Sequence, residues 1–146
     1  MIASKAEIKS LAFGNNFDVA AIKDNVIMLV EYEQVLALLG ADLYDAIVAT
    51  PSSYTTLLTN FLKPYIAWNV KVYISQGNHL KTGNKGAQIA TGANEVAGDV
   101  ELAKREAMTW ARKYKAQIIK YLDDNNVALW QGYEENDSII NKIIIL

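Results

Sequence analysis

The segment of residues 75–98 most constrains what this chain can fold into. It holds five of the chain's eight glycines and separates two helix-forming segments that are rich in aromatic residues. A structureless connection longer than about 12 to 15 residues inside a compact domain is usually functional or disordered. Because a chain of 146 residues is expected to form one domain, we interpret this segment as an arm that contacts a partner.

Composition excludes several kinds of chemistry. The chain has no cysteine, so it has no thiolate metal site, thiol nucleophile or disulfide, as is typical of a reducing compartment. His79 is the only histidine, which excludes a two-histidine metal site or a histidine-based triad within one chain. The glycines do not form a phosphate-binding motif. We therefore predict no catalytic residue, metal site or cofactor, and we expect that the protein is not an enzyme.

The sequence also carries no sign of export or membrane insertion. Its first residues lack the basic region, apolar stretch and cleavage site of a secretory signal. Its longest apolar runs, 26–30 and 143–146, are far shorter than the ~20 residues of a membrane-spanning helix. We expect a soluble protein.

Helical periodicity predicts three helices in the first third of the chain. Residues 4–7 have the spacing of a capping box, which starts a short helix that Gly14 ends. Asp18 is expected to cap a second, long helix that stops at Gly40, where glycine has no steric cost. A third, short helix is predicted over about 41–49.

Two longer amphipathic helices are predicted at about 55–76 and 99–122. Pro64 either kinks the first of them or begins a separate helix, and the sequence leaves both open. Asn94 or Asp99 can start the second helix. Because each apolar stripe must be buried against another element, we expect the two helices to pair antiparallel.

The segment between these helices contains a hairpin pattern. Residues 78–82 and 87–91 flank the turn-forming residues 83–86, which predicts a projecting β-hairpin arm within 77–93. An isolated hairpin is marginally stable in water, so this arm is expected to gain its order from a neighbouring molecule. A surface loop without a partner is the alternative.

The C-terminal residues 138–146 are rich in β-branched side chains and nearly uncharged. They would promote aggregation if exposed, so they are expected to form a strand on the chain's own core or, as we favour, on another subunit. The predicted fold is therefore mainly α: a small bundle of about five helices with two long antiparallel helices, a β-hairpin arm and an extended C-terminal tail. Residues 1–125 form the helical domain and 126–146 the tail. The residues predicted to bind partner proteins are His79, Leu80, Lys81, Lys85, Gln88, Ile89, Ile143, Ile144, Ile145 and Leu146.

Charge is unevenly distributed along the chain. Residues 1–62, 63–120 and 121–146 carry net charges of −4, +6 and −4. Complementary blocks of this kind suit subunits that meet acidic surface to basic surface, although solvated helix faces explain the charges equally well. The cations of the last helix also suggest an alternative function, a small nucleic-acid-binding regulator. These cations are Lys104, Arg105, Arg112, Lys113, Lys115 and Lys120.

Ordered motifs along residues 1–125 resemble the small helical head-tail connector (neck adaptor) proteins of tailed phages, in particular a branch from crAss-like and gut Bacteroidetes phages. The motifs that carry the resemblance are Ile2-Ala3-Ser4, Leu38-Leu39-Gly40-Ala41-Asp42-Leu43-Tyr44, Leu62-Lys63-Pro64-Tyr65-Ile66-Ala67, Lys81-Thr82 with Gly86, and Glu101 to Tyr121 ending at Leu122. The tail from Val127 to Leu146 departs from the family pattern.

The resemblance implies a structural virion protein in the phage neck, assembled in the host bacterial cytoplasm. Such proteins form homo-oligomeric rings, typically of about twelve subunits, that join the portal to other neck or tail proteins and surround the path of the packaged DNA. No catalytic residue is implied.

Overall fold

The computed structural model describes the backbone of residues 1–80 and 93–133 and the side chains of residues 1–76 and 100–133. Five helices make up most of these residues, and no β-strand occurs within them. The expectation of a mainly helical chain with about five helices is thus confirmed. The helices are α1 (5–13), α2 (24–39), α3 (Ala41–Ala49), α4 (55–80) and α5 (Ala93–Asp124), with short 3₁₀ turns at Val19–Ala21 and Pro51–Tyr54.

Three of the helices contain a wider, π-helical turn. These turns are Lys9–Phe13 in α1, Glu31–Leu36 in α2 and Leu58–Leu62 in α4. None of the helices that the structure describes is long and apolar enough to span a membrane.

The predicted capping box starts α1. The Glu7 backbone N–H donates to Ser4 Oγ at 3.3 Å, and the Ser4 backbone N–H donates to Glu7 Oε2 at 2.9 Å. The two hydrogen bonds satisfy donors that the first helical turn leaves free. Gly14, with a φ of +76°, ends the helix as predicted.

The start of α2 differs from the prediction. Asp18 caps only a 3₁₀ turn, accepting a hydrogen bond from the Ala20 backbone N–H at 2.9 Å. Ile22 is extended and fully buried, so the chain turns inward there and the long helix begins at Asp24. The end of the helix is as predicted, since Gly40 has a φ of +80° between α2 and α3. A side chain at this φ would be strained.

The structure also decides between the two roles of Pro64. Residues 55–80 remain helical through it, and the π-helical turn Leu58–Leu62 lies directly before it. A proline ring inside a regular α-helix clashes with the carbonyl four residues earlier. The wider turn makes room for the ring at this position.

The predicted β-hairpin arm is not supported. The first residues of its first strand, 78–80, are the last residues of α4. Extending an existing helix adds one hydrogen bond for each residue fixed, whereas a hairpin strand needs a partner strand before it is stabilised. The remaining residues of the predicted arm, 81–92, lie outside the described residues, as does the predicted C-terminal strand.

Helix α4 is the centre of the core, with α1, α2 and α5 packed against it. Helices α4 and α5 pair antiparallel, as predicted. Phe61 contacts Tyr121 with ring centroids 5.2 Å apart, and Trp68 stacks on Trp110 at 5.7 Å. After α5, the chain folds back onto the helix, where Trp130 Nε1 donates to Asp123 Oδ1 at 2.7 Å.

Glu31 is the one charged side chain buried among the described residues, with 3% of its surface exposed. Its Oε1 accepts hydrogen bonds from the backbone N–H of Ile2 at 2.6 Å and of Ala3 at 3.4 Å. Its Oε2 lies 3.4 Å from the Tyr44 hydroxyl, which donates to it. Burial, together with the Glu31 charge, raises the pKa of Tyr44. The carboxylate therefore fastens the N-terminal residues to α2 and α3.

We predict that Glu31→Ala lowers the free energy of unfolding by about 1–3 kcal/mol, because it leaves buried N–H groups without an acceptor. Urea unfolding at neutral pH measures the change. The matched control is Glu33→Ala, an exposed glutamate on the same helix, whose expected effect is within about 0.5 kcal/mol. Equal effects of the two substitutions would show that Glu31 does not anchor the N-terminus.

A second long-range contact joins α1 to α4. Lys63 Nζ donates to Glu7 Oε1 at 2.6 Å. The Lys63 ammonium, followed by the Ser4 backbone N–H, lowers the pKa of Glu7 from its ordinary value of 4.5. Because the unfolded chain then binds a proton more readily than the folded chain, this pair stabilises the fold at neutral pH, and the stabilisation is lost as the pH falls below 4.5 through the lowered pKa.

We predict that Glu7→Gln destabilises the protein at pH 7 and that its difference from the wild type shrinks by pH 3. Glutamine has one acceptor oxygen and can keep the capping hydrogen bond from the Ser4 backbone N–H, so the substitution removes the charge and the bond to Lys63. Urea unfolding at both pH values provides the comparison. A difference that is constant with pH would argue against a stabilising role for the ion pair.

Candidate interaction surfaces

The predicted partner-binding residues lie at the end of α4 and beyond it. His79 and Leu80 form part of the last helical turn of α4. The other eight fall outside the described residues, so their expected grouping is not tested. Within the described part of the chain, no three acidic or histidine side chains are placed to share a metal ion.

Past their buried residues Val70 and Ala107, helices α4 and α5 continue as a projecting pair, which we define as residues 71–80 of α4 and 93–106 of α5. These lengths correspond to about 15 and 21 Å at the rise of an α-helix. The described side chains of this pair, at 71–76 and 100–106, include none that is fully buried. Leu102 is 65% exposed, and Val72 and Val100 are half-buried. The pair therefore presents apolar surface that its two helices do not cover.

The basic residues of α5 lie mostly on its outer side, but several contact groups of the same chain. Arg112 makes no ion pair within the described residues and is exposed. Four others have partners: Arg105 pairs with Glu101 at 3.6 Å, Lys113 Nζ lies 4.7 Å from the Trp110 ring centroid, Lys115 Nζ donates to the Tyr133 hydroxyl at 2.7 Å, and Lys120 pairs with Asp124.

An aromatic cluster joins α1, α4 and α5 at the base of the projecting pair. Lys71 lies at its centre, with Nζ 5.1 Å from the Trp68 ring centroid and 5.7 Å from that of Phe13. The same ammonium donates to the Ala12 carbonyl at 2.8 Å, near the end of α1. Lys71 thus combines a hydrogen bond to a helix end with two cation–π contacts.

A groove lies between α2, α4 and α5. It has a volume of about 280 Å³, with Gln34 on one side and Arg112 and Lys115 on the other. Its apolar lining is provided by Tyr65, Val72, Met108 and Ala111. Burial, followed by the nearby Tyr133, raises the pKa of Tyr65 to about 12. The Tyr65 hydroxyl therefore stays neutral at physiological pH, and the fixed positive charge at the groove belongs to the two cations.

The outer face of α2 carries an apolar knob, which we define as Met28 and Tyr32. These residues are 60% and 68% exposed and lie four positions apart, on one face of the helix. These two residues were not among those predicted to bind partners. A signal was present in the sequence, because both are large apolar residues that fall outside the buried stripe of α2. This stripe includes Ile27, Val30 and Val35. Exposed Glu33 follows the knob directly.

We predict that Lys71→Met lowers the free energy of unfolding by about 1–3 kcal/mol, since it removes a charged hydrogen bond and two cation–π contacts. Lys113→Met is the matched control. It removes one exposed cation–π contact and should cost less than about 1 kcal/mol. Urea unfolding followed by tryptophan fluorescence measures both. Equal losses would mean that Lys71 does not tie α1 to α4.

Comparison with known sequences identifies one family. Residues 32–140, more than half of the chain, match a family described as "Family of unknown function (DUF6712)". No curated protein and no solved structure matches the chain. The match covers the second half of α2 and all of α3, α4 and α5, and so includes both the groove and the projecting pair. The chain therefore belongs to the DUF6712 family of unknown function.

Proposed function

We propose that this protein is a structural subunit of a ring in the neck of a tailed phage, where it joins the portal to the tail and surrounds the genome channel. The sequence motifs shared with head-tail connector proteins suggest this role. A subunit of this kind needs a rigid body, a limb that reaches a neighbour, and two different contact surfaces.

The observation that carries the proposal is the projecting pair. None of its described side chains, at 71–76 and 100–106, is fully buried, and Leu102 and Tyr73 are exposed apolar residues. Apolar side chains on two helices that extend past a core gain little from burial unless another surface covers them. In a ring, the adjacent subunit or the portal would provide that surface.

The alternative, a nucleic-acid-binding regulator, receives less support from the same helix. Four of the six cations on α5 contact groups of their own chain. One ring face of Trp110 is stacked on Trp68, which leaves less of it for stacking on a base. Duplex DNA binding by the isolated chain, with affinity that falls steeply as salt rises, would instead favour the regulator.

We predict that replacing residues 81–92 by a glycine-serine sequence of equal length abolishes ring formation and leaves the helical content nearly unchanged. The replacement preserves the connection between α4 and α5, so a loss of assembly reports the side chains of this segment. Circular dichroism measures the helix content. Light scattering and electron microscopy, with and without portal protein, measure assembly.

A glycine-serine replacement of the surface segment 14–17 would not be a suitable control, because Phe17 in that segment stacks on Phe13 at 4.2 Å. Val48→Ala is suitable, since this exposed residue of α3 lies outside the projecting pair. It should assemble like the wild type. Rings that form normally from the replaced chain would refute the role of the segment, and a wild type that stays monomeric even with portal protein would refute the proposed function.

A further inference from the structure

The knob and the groove lie on different sides of the same helix. Tyr32 belongs to the knob, and Gln34, two residues later, lines the groove. Both residues belong to the π-helical turn Glu31–Leu36, where the rotation per residue is somewhat smaller than the about 100° of an α-helix, so residues two positions apart still point in nearly opposite directions. The knob therefore lies on the side of α2 away from the groove of its own chain.

The knob and the groove are also chemically complementary. The groove offers apolar walls from Val72, Met108 and Ala111, and a volume of about 280 Å³ accommodates a tyrosine side chain. Tyrosine and arginine are enriched among the residues that contribute most binding energy at protein interfaces, where an aromatic side chain fills a pocket on the partner.

Charge adds a second match. Glu33 stands beside the knob, and Arg112 stands at the groove; both are exposed, and neither makes an ion pair within the described residues. Lys115, the other cation of the groove, is held by the Tyr133 hydroxyl. If the knob of another molecule entered the groove, the adjacent Glu33 carboxylate would lie near Arg112. Attraction between the two charges would favour this orientation.

We propose that the groove binds the knob of a second copy of this chain, with Glu33 of that copy facing Arg112. This inference rests on the proposed function and specifies which surfaces meet within the ring. Because the two surfaces are different and face different ways, the contact is heterologous. Each subunit can then contribute its knob to one neighbour and its groove to the other, as a ring requires.

Engineered cysteines test the contact directly, because the chain has no cysteine of its own. Glu33→Cys and Arg112→Cys are prepared as separate proteins, with tags of different mass, then mixed and treated with a bismaleimide crosslinker. The crosslinker is needed because the Cα atoms of an ion pair between long side chains lie farther apart than the about 4.4–6.8 Å that a disulfide spans. We expect the mixed 33–112 dimer to exceed both homodimers. Val48→Cys mixed with Arg112→Cys is the matched control and should give only the background of random collision.

Removing the knob provides the second arm of the test. Adding Tyr32→Ala to the Glu33→Cys protein should reduce the mixed dimer to the control level, and since Tyr32 is 68% exposed, the fold is expected to tolerate the change. Circular dichroism verifies the fold. Yields that do not differ from the control pair, or an excess of the 33–33 homodimer, would overturn the assignment.

These outcomes separate the two proposals. Rings that form without a 33–112 crosslink would leave the proposed function standing and reject the knob-in-groove contact. A specific 33–112 crosslink in a protein that never closes into rings would support the contact and reject the ring.

Discussion

The middle of helix α4 is buried on every side, and this burial positions the other elements. The consecutive residues 64–67 are all buried, although they point about 100° apart around the helix axis. A helix that is apolar all round is stable only when other elements enclose it. Helices α1, α2 and α5 do so here, and the ammonium groups of Lys63 and Lys71 tie α1 to the central helix. The surfaces proposed to bind partners depend on this arrangement, because α1, α2 and α5 are all held in place by packing against α4.

Much of this architecture follows from local sequence signals. The Ser4 and Glu7 pair, the glycine at position 40 and the two amphipathic stripes each have a local physical cause, and each predicted the corresponding helix or its boundary. The features that escaped prediction depend on tertiary structure. Ile22 interrupts the predicted helix because its side chain is buried in the core. No sequence pattern indicates the π-helical turn before Pro64. The hairpin prediction weighted turn residues above the tendency of an established helix to continue through residues 78–80.

The interaction surfaces were less accessible from the sequence than the helices. The groove combines side chains from three helices that are far apart along the chain, so no local sequence pattern indicates it. The knob was visible in principle, since Met28 and Tyr32 lie outside the buried stripe of α2. Glu31 illustrates the same difficulty. Nothing about a glutamate between Val30 and Tyr32 indicates that its carboxylate accepts hydrogen bonds from the N-terminal backbone. Sequence identifies which residues are available, and only the packing of helices shows which of them meet.

The wide turn at Leu58–Leu62 has a consequence for how the length of this chain can vary. A π-helical turn carries one more residue than the α-helical turn that it replaces. Loss of a single exposed residue there, such as Thr59, would restore regular winding and keep the buried residues after Pro64 in their orientation, but the proline ring would then clash with the preceding turn. The same loss further along α4 would rotate everything that follows by about 100°. Natural relatives that lack one residue at this turn should therefore also lack the proline.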